Sequence, residues 1–63
     1  MKIGYILFDG YPGRTRTKVE IIAATKMRYR IAALQRMKIG EKWIAAGTTT
    51  MVPKGEVQDI QDE

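Results

Sequence analysis

Between Arg14 and Ile31 the chain alternates. From Arg14 to Glu20 every even position is charged, and from Thr15 to Ile21 every odd position is Thr, Val or Ile. Lys26, Arg28 and Arg30 then alternate with Met27, Tyr29 and Ile31. Successive side chains on a strand point to opposite faces, so the pattern describes two half-buried strands with their cations outward. Thr, Val, Ile and Tyr also suit strands. A helix near 17–38 is the alternative. No Gly or Pro interrupts residues 14–39, and Ala24, Met27, Ile31 and Leu34 share a helical spacing. Thr17 with Glu20 would make a capping box. That helix, however, would place Lys26 and Arg30 inside its apolar arc. We therefore expect strands at 14–21 and 25–31, joined near Ile22-Ala23-Ala24. The join lacks the Gly or Asn that a tight hairpin favours.

The remaining segments read the same way. "KIGYILF" is a strand followed by the loop residues "DGYPG". "GEK" opens a turn before "WIAAG", and "TTTMV" resumes as a strand that Pro53 ends. "EVQDI" is a last short strand or a turn. The expected fold is all-β, a single small five-stranded barrel spanning 1–63, with α+β as the alternative. The expected core is Val19, Ile21, Met27, Tyr29, Ile31, Trp43, Ile44 and Val52.

Sixty-three residues make one small domain with a limited core. The chain has no Cys, His or Ser. Disulfides, Cys/His zinc sites and hydrolase triads are therefore ruled out. Thr48, Thr49 and Thr50 have no adjacent base and read as strand formers. "GYPG" lacks the Lys and hydroxyl of a phosphate loop. We expect no catalytic residues, no cofactor and no metal, and so a non-enzymatic protein. No apolar run approaches the roughly 18 residues of a membrane span, and the start has no cleavage signal. The expectation is a soluble cytoplasmic protein with no membrane partner.

Charge is unevenly placed. Residues 1–42 hold ten of the eleven Lys/Arg and three acids, whereas "EVQDIQDE" holds four acids and no base. Residues 56–63 read as an acidic, frayed tail. The alternation would place Arg14, Arg16, Lys18, Lys26, Arg28 and Arg30 on one sheet face. Six bases on two adjacent strands repel one another, which an anionic partner would relieve. Tyr11, in the first loop, is the aromatic expected to make an exposed contact.

The C-terminal third, "KWIAAGTTTMVPKGEVQDI", resembles the closing part of SH3-like small barrels. There a Trp-bearing strand precedes a Gly turn, a strand ending in a hydrophobic-Pro pair, a short 3₁₀ turn and a final strand with a valine. Trp43, Gly47, Val52-Pro53 and Val57 stand in that order. The resemblance implies the barrel fold but not polyproline binding, because the acidic loop and paired aromatics of signalling SH3 domains are missing. "MKIGYILFDG" also resembles the first strand of the DJ-1/PfpI family, and "MKIGY" the start of serine recombinases. Those families need a reactive cysteine and a catalytic serine, which this chain lacks.

The expected function is that of a small basic accessory or regulatory protein. It would bind DNA or RNA phosphates through its Arg/Lys face, with Tyr11 beside it. The alternative is an interaction module that binds an acidic protein surface, adds a strand at a sheet edge, or self-associates as a homo-oligomer. Size and composition suit an accessory protein of a phage or mobile element.

Overall fold

The computed structural model describes residues 1–9 and 13–63. Strands β1 (Lys2–Asp9), β2 (Arg14–Ala24) and β3 (Arg28–Ala33) form an antiparallel meander. A hairpin follows, β4 (Met37–Ile39) with β5 (Lys42–Ile44). Strand β6 (Thr49–Pro53) then returns to the free edge of β3. A 3₁₀ turn at Lys54–Glu56 leads into β7 (Val57–Asp62), which pairs with β1. The main sheet is five-stranded and antiparallel, in the order β6-β3-β2-β1-β7, and β4-β5 forms a second, two-stranded sheet.

The strand reading of 14–31 holds, and the helix at 17–38 does not form. The connection, however, is not at Ile22-Ala23-Ala24. Ile21 pairs with Ile31 but Ala23 with Arg30, so one extra residue is accommodated at Ile22. This bulge lets β2 run on to Ala24 and moves the turn to Thr25–Arg28. Thr25 supplies what Gly or Asn would have offered. Its hydroxyl accepts the Arg28 N–H at 3.1 Å and donates to the Arg28 carbonyl at 3.2 Å. The shifted turn carries Lys26 and Met27 out of the sheet.

Alternation decides the core. Thr17, Val19 and Ile21 of β2 point inward with Ile31 and Ala33 of β3, Val52 of β6 and Ile6 of β1. Met37 of the hairpin and Val57 of β7 complete the cluster. Val19, Ile21, Ile31 and Val52 are thus buried as expected. Tyr29 and Ile44 are half-buried against them. Two expectations fail: Met27 is 71% exposed and Trp43 47% exposed. Met27 sits in the turn, and Trp43 is paired opposite Lys38 in a hairpin too short to have a buried outer side. "WIAAG" is a strand only as far as Ile44. The hairpin turn needs Gly40, whose φ of +61° provides the left-handed first position of a two-residue turn.

Thr17 is 1% exposed, and its Oγ1 has no hydrogen-bond partner among the described residues. A buried unpaired hydroxyl is a net cost. Thr17→Val keeps the shape and removes that cost. We expect it to raise stability by about 1 kcal/mol in urea unfolding.

Residues 57–62 are a strand, not a frayed tail. Their pairing with β1 skips a register step between Ile3 and Tyr5, and Asp59 takes up the extra length at φ +52°. A bulge in an edge strand twists it and aims its side chains elsewhere. Here it orients Asp59 across β1 towards β2.

Candidate nucleic-acid interface

The six bases expected to act together all occupy exposed or half-exposed positions. Register divides them into two sets. Arg14, Arg16 and Lys18 lie at the start of β2, opposite Asp9, Leu7 and Tyr5 of β1. Arg30 is level with Ala23, seven residues further along β2 than Arg16. At ~3.3 Å per residue, roughly 20 Å of strand lies between them. The sets share the outward parity of the sheet but stand at opposite ends of it. Five of the six bases thus keep the outward parity, in two groups separated along the strands, and Lys26 lies in the turn. Tyr11 lies outside the described residues.

The first set is largely answered from within the chain. The Arg16 guanidinium is bonded to the Asp59 carboxylate and stacks on Tyr5, 3.9 Å from the ring centroid. Lys18 Nζ donates to Glu63 Oε1 at 2.8 Å. That hydrogen bond raises the Lys18 pKa above the ordinary lysine value; desolvation opposes it, and the Glu63 and Tyr5 charges add smaller upward contributions. The acids that looked like a solvated tail thus neutralise two of the bases. The sign of the linkage follows. The Lys18–Glu63 contribution is complete at neutral pH and is lost as the pH climbs past the ordinary lysine value and through the raised one. Lys18→Met should remove a shallow alkaline decline in the urea midpoint, of a size expected for an exposed pair.

The second set has no such answer. Among the described residues, no carboxylate lies within ion-pair distance of Lys26, Arg28 or Arg30. Lys54 joins them, because its backbone N–H donates to the Met27 carbonyl at 3.1 Å. Its ammonium stands 5.2 Å from the Tyr29 ring centroid. This end of the sheet therefore carries Lys26 and the exposed Met27 in the turn and Arg28 and Arg30 outward on β3, with the Lys54 ammonium over Tyr29 on the other side of that strand. Glu20 is an acid on the adjoining outer face, on β2 opposite Ala32.

A further group adds Arg36 and an exposed Trp43, which the sequence reading missed, to Lys38 and Lys42, the remaining candidate cations. Arg36 lies over the exposed Trp43 ring, 4.6 Å from its centroid, and Phe8 meets the same ring edge-on at 5.9 Å. Lys38 is directly opposite Trp43 across the hairpin, and Lys42 opposite Ile39. The signal was available: "MKIGEKW" has a Gly at the first position of a two-residue turn, which sets Lys38 against Trp43. Assigning Trp43 to the core on size alone concealed it.

None of the described helical segments is long and apolar enough to cross a membrane. Compared with protein-family models, with curated proteins and with solved structures, the chain matches none.

Proposed function

We propose that this chain is an SH3-like barrel that binds nucleic acid phosphates through the Lys26, Arg28, Arg30 and Lys54 end of its sheet. The barrel reading is supported by the 3₁₀ turn that follows Val52-Pro53 and by the final strand opening on Val57. One observation carries the functional reading. Asp59 of β7 and Glu63 just beyond it pair with Arg16 and Lys18, while among the described residues Lys26, Arg28 and Arg30 have no carboxylate partner. Mutually repelling cations gain most from an external polyanion, which releases its counterions as it is neutralised. Such contacts give affinity and little sequence choice.

The test is fluorescence anisotropy of a labelled oligonucleotide across a salt series. Arg28→Ala with Arg30→Ala should weaken binding and flatten the salt slope by about two units, near 0.9 per lost phosphate contact. Arg16→Ala removes a cation already met by Asp59 and should change the slope little. A wild type without affinity at low salt, or a double variant with the wild-type slope, overturns the proposal.

The interaction-module reading has its own support in β6. Among the described residues it is an edge strand paired to β3 alone, and Thr49–Pro53 carries no charged side chain. The other edge, β7, is guarded by Asp59, Asp62 and a bulge. Strand addition at β6, by a partner or a second copy, is the function to pursue if nucleic acid fails to bind. Sedimentation equilibrium of Met51→Lys against wild type would detect self-association through that edge.

A further inference from the structure

Trp43 is the single tryptophan of the chain, and it is a fixed ring on an open surface. Phe8 meets it at an interplanar angle of 82° and Arg36 lies over it, yet 47% of the residue remains exposed. The hairpin that carries it is also cationic, with Lys38 and Lys42 on its two strands. A rigid aromatic bordered by Arg and Lys is the arrangement on which unpaired bases stack while phosphates follow the cations. A groove opens at two of its neighbours, although Trp43 does not itself line it. Phe8 and Lys38 also line an open groove of about 380 Å³ between β1, the hairpin and the 3₁₀ turn. Glu41 and Gln58 on the groove walls offer hydrogen-bonding groups to a base edge.

We propose that Trp43 is a base-stacking residue for single-stranded nucleic acid, with Arg36, Lys38 and Lys42 holding the flanking phosphates. The inference rests on the nucleic-acid reading above and adds a ligand class to it. Duplex bases are already stacked on one another and offer no free face to Trp43, whereas an unpaired base does. The two cationic regions then divide the work. The Lys26–Arg30 end takes backbone from either form, and the hairpin selects the single strand.

Because there is one tryptophan, its emission reports this site alone. The experiment titrates the wild-type protein with oligothymidylate and, separately, with a duplex of equal length, following both emission and anisotropy. Expected are quenching by the single strand that saturates together with the anisotropy, and little quenching by the duplex. Trp43→Phe should weaken single-strand binding several-fold and Trp43→Ala by about tenfold or more. Duplex binding should stay near wild type in both variants. Lys38→Ala keeps the fluorophore, so quenching persists in it with a shallower salt dependence, whatever the stability of the tryptophan variants. If the single strand binds without quenching, or quenches no more than the duplex, the stacking role is overturned while phosphate binding stands. If neither nucleic acid binds at low salt, both proposals fall.

Discussion

Ile31→Ala should leave the protein largely unfolded at room temperature. Ile31 is fully buried at the centre of β3, between Ile21 of β2 and Thr50 of β6. Truncating a buried isoleucine typically costs about 2–5 kcal/mol, from lost transfer energy and the cavity left behind. A single core in a chain this short rarely supplies more than about 3–5 kcal/mol in total. The neighbours that could collapse into the space are themselves held by strand pairing on both sides, so relaxation is limited. Far-UV circular dichroism and a urea titration measure the outcome. Met27→Ala is the matching control. Met27 has the bulk of Ile31 but points into solvent from the turn, and its loss should change stability by less than about 0.5 kcal/mol. A cooperatively folded Ile31→Ala protein with a wild-type urea midpoint would refute the assignment of Ile31 to the centre of the core.

Gly4→Ala should loosen β7 from β1. A Cβ at Gly4 would overlap Val57 Cγ1 and sit 3.3 Å from Ile21 Cδ1 and 3.5 Å from the Gln58 carbonyl oxygen. Val57 is β-branched and is the first residue of β7, so it yields only by shifting the strand. Overpacking of this kind costs about 1–3 kcal/mol. The displaced strand also carries Asp59 and leads into Glu63, the acids that hold Arg16 and Lys18. Hydrogen exchange should therefore quicken at the β7 amides before those of β2 and β3, and the proposed affinity for nucleic acid should rise as the two cations are released. Gly55→Ala provides the contrast: its added Cβ meets nothing within 4 Å, so stability should hold. Unchanged β7 exchange in Gly4→Ala would show that the close approach of β1 and β7 is not rigid.

The period of two in residues 14–31 was sufficient to choose strands over a helix. It was also sufficient to bury Val19, Ile21 and Ile31 and to turn Arg14, Arg16, Arg28 and Arg30 outward, because parity is a local property of an extended chain. Parity does not say where a strand ends. The bulge at Ile22 lengthened β2 and placed Lys26 and Met27 in the turn, and bulges answer to the curvature of the whole sheet rather than to local residue type. Trp43 was assigned to the core for its size, but a residue's burial depends on what the tertiary structure sets against it, and Phe8 covers only part of the ring.

The acidic segment 56–63 shows the division most sharply. Composition identified four acids at one end and ten bases before them, and so a chain with internal charge asymmetry. Composition could not say that β7 would lie beside β1, one strand away from Arg16 and Lys18. Residues more than forty positions apart meet there because the sheet closes its meander with the last strand, bringing Asp59 and Glu63 to those bases. The alternation of residues 14–31, its inward faces and the excess of positive charge depend on neighbours within a few residues and were legible in the chain. Which cations are neutralised follows from the pairing of β7 with β1, since an ion pair depends on distances in space that the order of residues does not contain.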